Sequence, residues 1–236
     1  MIAVVDCRMC EEARLALKDY GYKVIALPPY SGLQSAVASH PDMLIFITDD
    51  KLITSKGYYT ENRERVDEIM QSCGLGLVLS SVEIGAKYPQ DVIFNAAQVG
   101  EYLIANTDYI AKEILSAMAE KGIKAINVKQ GYGKCSICIV SDNAVITSDS
   151  GIYKTLCEET ALDVLKISEG FVNLAPYNHG FIGGATGADR ENVYFCGDLN
   201  THPDCQKIKN FCKKHSKNAV SLSGGTLTDI GTIFLL

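Results

Sequence analysis

Five residues combine the side-chain types that thiolate chemistry requires, one thiol, one imidazole and three carboxylates: Asp42, Asp91, Cys135, His179 and Asp229. A histidine can withdraw or balance the proton of a cysteine thiol, and a carboxylate can orient that histidine or hold a cationic substrate. Lys134 joins them because a neighbouring cation lowers the pKa of a thiol. The predicted catalytic residues are Cys135, His179 and Asp229, and the predicted substrate-binding residues are Asp42, Asp91 and Lys134.

Each of the five residues precedes an apolar run that begins the same order of elements: strand, turn, strand, helix and strand. The clearest copy begins at residues 131–148, where two apolar runs flank the turn Ser-Asp-Asn at 141–143 and predict a β-hairpin. Five copies over 236 residues give a period of about 47, which is typical of closed or stacked repeat arrays. The predicted copies comprise residues 226–236 with 1–30, 42–80, 91–128, 135–167 and 179–222.

The last predicted strand, at residues 230–235, has no partner downstream and supplies the strand that the first copy lacks. A unit that borrows a strand from the other end of the chain closes a ring and protects the sheet edges, as propellers do. An open three-layer α/β sheet is the alternative, but its βαβ units carry single strands between helices rather than hairpins. We predict a single α/β domain over residues 1–236, folded as a five-bladed α/β-propeller of ββαβ repeats.

Equivalent positions of a five-fold ring converge on its axis, so the five candidate residues are expected to line one central pocket. The alternative for each of them is a structural role. A cysteine at a strand start is often a small buried hydrophobic residue, and Asp or His before a strand often forms turn hydrogen bonds. His40, which precedes Pro41, is expected at the surface.

A ring of five ββαβ units resembles the pentein fold of the guanidine-modifying enzymes, which include amidinotransferases, arginine and agmatine deiminases and dimethylarginine dimethylaminohydrolases. Those enzymes carry a histidine at the start of a late repeat, and residues 177–181, Tyr-Asn-His-Gly-Phe, are similar to that place. Their cysteine nucleophile follows a Gly-Gly pair near the C-terminus, where this chain has Gly224, Gly225 and then Asp229. Their central repeat begins with Glu-Gly-Gly-Asp, where this chain has Gln-Gly-Tyr-Gly-Lys-Cys at 130–135.

The resemblance implies a pocket for a guanidinium or amidinium group in which the acid and the thiol have exchanged places. Cys135 stands where an acid is usual, and Asp229 stands where the cysteine is usual. The predicted function is a small-molecule hydrolase or amidino-group transferase that acts through the Cys135 thiolate without a cofactor. Two alternatives stay open: a non-catalytic member of the same fold that binds a ligand or partner, and a metal site built from Cys135, His179 and the aspartates, all of them zinc ligands.

Composition and charge limit the possible partners. A net charge of −6 and no Lys/Arg block argue against a nucleic-acid or anionic-membrane surface and suit a small cationic ligand. No stretch of about 18 apolar residues predicts a membrane span, and the N-terminal apolar run is too short for a signal sequence. The nine cysteines form no compact framework, so we expect reduced thiols in a cytoplasmic protein.

Overall fold

A hairpin, a helix and a parallel strand recur along the chain in the computed structural model, which describes residues 1–236. The strands are β1 (Ile2–Asp6), β2 (Lys23–Leu27), β3 (Ile45–Ile47), β4 (Lys51–Ser55), β5 (Gly76–Ser80), β6 (Ala97–Val99), β7 (Tyr102–Ala105), β8 (Lys124–Asn127), β9 (Ile137–Ser141), β10 (Ala144–Thr147), β11 (Asp163–Lys166), β12 (Thr186–Ala188), β13 (Asn192–Phe195), β14 (Asn218–Ser221) and β15 (Phe234–Leu235). The helices are α1 (Glu11–Asp19), α2 (Pro41–Leu44), α3 (Lys56–Glu61), α4 (Arg63–Cys73), α5 (Lys112–Glu120), α6 (Gly133–Ser136), α7 (Ser150–Glu159) and α8 (Cys205–Lys214).

The strands form five three-stranded sheets, which we call blades one to five in the order β15-β1-β2, β3-β4-β5, β6-β7-β8, β9-β10-β11 and β12-β13-β14. In every blade the middle strand pairs antiparallel with the strand named first and parallel with the strand named last. A parallel pair needs a crossover connection, and helices supply it in each blade. The predicted ββαβ repeat is therefore confirmed.

The C-terminal strand β15 completes blade one. Phe234 pairs with Val4, and the main chains of Ile2 and Leu236 exchange two hydrogen bonds of 2.7 and 2.9 Å. The prediction that the C-terminus supplies the missing strand is confirmed. The strand is shorter than the predicted 230–235, because Gly231 and Thr232 adopt φ values of 68° and 76°, which are incompatible with extended backbone.

The strands named first in the five blades surround one cavity of about 490 Å³. Its lining includes one residue or more from each of these strands, among them Phe46, Gln98, Ile139, Gly187 and Phe234. Because all five blades contribute, these strands face a common axis, and the prediction of a five-bladed α/β-propeller is confirmed. We call this space the axial cavity; it lies toward the end of the ring where the hairpins turn.

The predicted first strands of two copies were wrong. Residues 92–94 and 180–182 were expected to be strands, but β6 and β12 begin later in the chain. Asn95 N donates to Val92 O at 2.9 Å and Ala185 N donates to Ile182 O at 3.2 Å, so both runs lie in buried turns. An apolar run of three residues is too short for its periodicity to separate a strand from a buried turn.

Helix boundaries follow the glycine signals of the sequence. Gly74 ends α4 and Gly122 follows α5, with φ values of 70° and 71° that residues with a Cβ rarely adopt. The helices bury one apolar face, as Ile208, Phe211 and Cys212 do in α8. None of the helices combines the length and hydropathy that crossing a bilayer requires.

Closure of blade one generates a stability prediction. A chain ending at Ile233 loses the two hydrogen bonds to Ile2 and the partly buried side chains of Phe234 and Leu235. We expect its free energy of unfolding to fall by about 2–4 kcal/mol in urea titrations. The matched control Leu15→Ala, on the exposed face of α1, should change it by about 0.5 kcal/mol or less. A truncated chain as stable as this control would contradict the role of β15.

Candidate functional site

Cys135 and Asp42 come into hydrogen-bonding contact inside the ring, at the end opposite the hairpin turns. They lie on the single-turn helices α6 and α2, directly before β9 and β3. The Cys135 thiol donates to Asp42 Oδ2 at 3.1 Å. Asn95, in the turn before β6, donates from Nδ2 to Cys135 Sγ and accepts from Cys135 N on Oδ1, both at 3.1 Å. Three blades thus fix the position of one sulfur atom.

The Cys135 thiol is neutral in this setting. Burial raises its pKa well above the ordinary value, and the carboxylates of Asp42 and Asp229 raise it further. The Lys134 ammonium, whose charge favours the thiolate, donates to Thr232 Oγ1 at 3.0 Å and does not outweigh burial and the two carboxylates.

Thr232 connects Lys134 to Asp42. Its hydroxyl accepts from Lys134 Nζ and donates to Asp42 Oδ2 at 2.8 Å. Its φ of 76° is unusual for a β-branched residue and costs about 1–3 kcal/mol, which the surrounding contacts must offset. Asp42 Oδ1 is buried and has no hydrogen-bond partner. Burial raises the pKa of the Asp42 carboxyl, and the charge of Lys134 opposes that rise.

Asp229 lies in the same interior but is bound by main-chain donors. Phe181 N donates to Oδ2 at 2.9 Å and Gly231 N donates to Oδ1 at 3.0 Å. A Cβ added to Gly184 would lie only 1.9 Å from Oδ1, so the glycine is required by this close approach. Burial raises the pKa of Asp229 to about 6, while His40 opposes the rise.

His40 is a site residue that the sequence analysis missed. It is 1% exposed, so the expectation that it lies at the surface is wrong. Its Nδ1 is 3.8 Å from Asp229 Oδ1, and its Nε2 is 3.8 Å from Asp6 Oδ2. Burial lowers the pKa of His40, although the two carboxylates oppose this. No local sequence pattern around a His-Pro pair predicts that the imidazole ring will lie between two aspartates that are distant in sequence.

Asp6 and Arg8 extend the cluster on the far side of His40. Arg8 binds the buried Asp6 carboxylate through Nε at 3.0 Å and Nη2 at 2.5 Å. A cavity of about 150 Å³ beside this pair is also lined by Asn173 and Asp229. The guanidinium group of Arg8 is therefore bound to the carboxylate of Asp6 at the edge of the site.

His179 and Asp91 lie along a row of aromatic rings rather than at the Cys135 thiol. His179 is partly exposed, with Nε2 3.4 Å from Glu169 Oε1 and Nδ1 3.1 Å from Gly180 O, and none of its hydrogen bonds reaches Cys135. Asp91 Oδ2 accepts from the Tyr132 hydroxyl at 2.8 Å, and its buried Oδ1 has no partner. Burial raises the pKa of Asp91.

Four rings form the row, which we call the aromatic row: Tyr88, Tyr132, Phe181 and His179. Neighbouring ring centroids are 5.8–6.3 Å apart, and Tyr132 stacks on Phe181 at an interplanar angle of 26°. The predicted alignment of five equivalent positions is thus only partly realised. Cys135 and Asp42 touch, Asp229 is close enough to influence the thiol pKa, and the other two side chains contact this row.

The metal alternative has no geometric support. No three or more His, Cys, Asp or Glu side chains are arranged to hold a metal ion. The Cys135 thiol is occupied by Asp42 and Asn95, and His179 is turned toward Glu169.

The raised pKa of Asp229 predicts a pH dependence of stability. A carboxyl that titrates near 3.8 when unfolded and near 6 when folded binds more protons in the folded state between these values. Its contribution is therefore complete at low pH and is lost as the pH rises through about 6. The difference corresponds to about 3 kcal/mol of unfolding free energy.

Urea unfolding of the wild type and of Asp229→Asn across pH 4–7 measures this contribution. We expect the wild type to lose stability relative to the variant by about 2.4 kcal/mol between pH 4 and pH 7. Asp19→Asn, at an exposed position, should follow the wild-type curve. Parallel curves for the wild type and Asp229→Asn would contradict the raised pKa.

Solved structures share the architecture of this chain at low sequence identity. DDAH from Pseudomonas aeruginosa, complexed with citrulline, superposes with a TM-score of 0.60 at 9% identity and covers 94% of this chain and 91% of its own. The amidinotransferase SxtG from Microseira wollei gives 0.55 at 11% identity, covering 92% and 76%. The agmatine deiminase of C. jejuni gives 0.53 at 8% identity, covering 94% and 87%. The chain thus has the pentein fold.

Sequence comparison identifies the family of this chain. No curated protein matches the sequence. A family profile described as a family of unknown function, DUF6873, matches residues 4–234, which include the α6 thiol and the first residue of β15, Phe234. The chain therefore belongs to the DUF6873 family.

Proposed function

We propose that the protein binds a small guanidinium or amidinium compound at the acidic end of the ring and modifies it through Cys135, as a hydrolase or amidino-group transferase. One observation carries this proposal: a buried carboxylate, Asp42, contacts the only thiol at the site and keeps one oxygen unpaired. A buried carboxylate oxygen without a donor costs free energy, and a cationic ligand with N–H donors would recover it.

Charge and shape favour this class of ligand. Four buried carboxyl groups of the site, those of Asp6, Asp42, Asp91 and Asp229, face only two basic side chains, Arg8 and Lys134. Planar guanidinium and amidinium groups present N–H donors in a fixed fork that matches carboxylate oxygens. The bidentate Asp6–Arg8 pair is an internal example of such recognition.

The aromatic row supplies a second contact for a cation. Tyr132 donates to Asp91 and stacks on Phe181, so a ring face and a carboxylate lie side by side. Aromatic faces attract cations by about 0.5–2 kcal/mol, depending on desolvation. The similar structures are a DDAH complexed with citrulline, an amidinotransferase and an agmatine deiminase, which supports the same ligand class for this chain.

In the proposed reaction Cys135 Sγ attacks the amidino carbon of the substrate. The thiol proton passes to Asp42 Oδ2, which already accepts its hydrogen bond at 3.1 Å, and a C–S bond forms while the C=N π bond breaks. The C–N bond to the leaving amine then breaks as that nitrogen takes a proton from His179 or Asp229. Water, or a second amine in a transferase, adds to the same carbon and gives a proton to the residue that protonated the leaving amine. The C–S bond then breaks, and the departing thiolate recovers the proton from Asp42.

The substrate itself supplies the activation that the resting thiol lacks. A cation within about 4–6 Å of a thiol favours its ionised form and lowers its pKa. The buried Asp42 and Asp229 oppose ionisation in the ligand-free protein, and a bound guanidinium offsets both. Cys135 is then inert until a ligand of the right charge arrives. Asp91 assists binding, and Lys134 acts indirectly by holding Thr232.

Binding without catalysis is the second candidate function. Its support is the absence of a hydrogen bond between His179 and Cys135, together with a thiol whose pKa is raised rather than lowered. The same acidic end would then hold the cation as a ligand, and Cys135 would serve only as a hydrogen-bond donor to Asp42.

A turnover assay separates the two functions. Wild-type protein is incubated with guanidinium, acetamidinium, agmatine or arginine, while calorimetry measures binding and a coupled assay measures released ammonium. Catalysis predicts release that falls about 10³-fold or more in Cys135→Ser, with binding retained. The matched control Cys10→Ser, at an exposed cysteine, should keep wild-type activity.

Binding of guanidinium or acetamidinium without ammonium release, both with and without an added primary amine as acceptor, would establish the non-catalytic function instead. Failure of all four probes to bind, or full activity of Cys135→Ser, would refute the catalytic proposal. Asp42→Asn should weaken binding of every cationic probe about tenfold or more, because it removes the charge that faces the ligand.

A further inference from the structure

The axial cavity contains one buried cation, Lys134, which reaches its nearest carboxylate, that of Asp42, only through the Thr232 hydroxyl. Lys134 and Thr232 lie at its inner end, and Phe46, Ile139 and Phe234 are among its apolar walls. Lys134 is 6% exposed, and no carboxylate oxygen lies within 4.0 Å of its Nζ. The inner end of the cavity adjoins the acidic site at Thr232, whose hydroxyl contacts both Lys134 and Asp42.

The Lys134 ammonium has unused hydrogen-bond donors. An ammonium group carries three donors, and Lys134 uses one of them, for Thr232 Oγ1 at 3.0 Å. Burying an ammonium group with unused donors is costly unless a partner of opposite charge completes its coordination. Burial lowers the pKa of Lys134, which is the physical expression of that cost. The remaining two donors are free to bind an acceptor on a ligand in the cavity.

We propose that the axial cavity is a second ligand site, which takes a small organic carboxylate with an apolar chain. The carboxylate accepts from Lys134 Nζ, and the chain packs against Phe46, Ile139 and Phe234. A volume of about 490 Å³ falls in the range of small-molecule sites. The one acidic residue of the lining, Asp142, lies in the exposed β9–β10 turn, so it does not compete at the inner end.

This second site does not depend on the proposed function. Its charge comes from Lys134 and its walls from β3, β9 and β15, whereas the acidic site depends on Asp42, Asp229 and the thiol. The two ends meet only at Thr232, whose hydroxyl contacts both Lys134 and Asp42. Failure of the guanidinium probes to bind the wild-type protein would not decide whether hexanoate binds, so each proposal can fail alone.

Titration with hexanoate and its neutral analogue hexanamide tests the proposal. Amide resonances of Gly100 and Gly187, which lie in the cavity lining, report binding in ¹H–¹⁵N spectra of the full chain. Hexanoate should shift both signals with a Kd of about 1 mM or tighter, and hexanamide should bind about tenfold more weakly. Lys134→Met, which keeps the length of the side chain, should abolish the preference for hexanoate.

A pair of variants at the cavity wall provides a second test in case Lys134→Met does not fold. Gln98 lines the cavity and is only partly buried, so charges are tolerated there. Gln98→Lys should tighten hexanoate binding about threefold or more and Gln98→Glu should weaken it by a similar factor, with hexanamide unaffected. The proposal is overturned if about 10 mM hexanoate causes no shifts, if hexanamide binds equally well, or if the Gln98 variants bind hexanoate equally.

Discussion

The buried carboxylate of Asp42 links three parts of the ring interior through hydrogen bonds. One of its oxygens accepts from the Cys135 thiol and from the Thr232 hydroxyl, which joins blades two and four to the C-terminal segment. Burial of a charge costs several kcal/mol unless hydrogen bonds and opposite charges offset it. The offset here is incomplete, since Oδ1 has no donor and Lys134 acts only through Thr232. The structure therefore contains a buried carboxylate with one oxygen, Asp42 Oδ1, that a cation with N–H donors could bind.

The architecture was readable from the sequence because it depends on local signals that recur. Paired apolar runs around a polar turn predict hairpins, and glycines such as Gly74 and Gly122 mark helix ends wherever they occur. The unpaired strand near the C-terminus was informative because a sheet edge must be covered. Strand starts were less predictable, since runs as short as 92–94 and 180–182 bury their side chains equally well in turns.

The site was predictable in composition but not in arrangement. Cys135 and Asp42 contact each other because both follow the same local design, a single helical turn before the first strand of a hairpin. His179 stands in a long irregular segment, so its direction depends on Glu169 and Phe181, which no repeat pattern fixes. The direction of Lys134 and the burial of His40 likewise follow from tertiary packing. Aligning the repeats predicts which residues are equivalent, but it does not predict the direction of their side chains.

The residues around Cys135 determine the resting state of its thiol. Asp229 receives two main-chain N–H donors, so that position holds an anion, while the thiol lies between Asp42 and Asn95 and keeps its proton. Titration of the Cys135 ¹³Cβ resonance, assigned through Cys135→Ser, tests this account most directly. We predict a neutral thiol beyond pH 9 in the free protein, and a pKa lower by about one unit or more with saturating acetamidinium. An unchanged titration with the ligand bound would contradict the account.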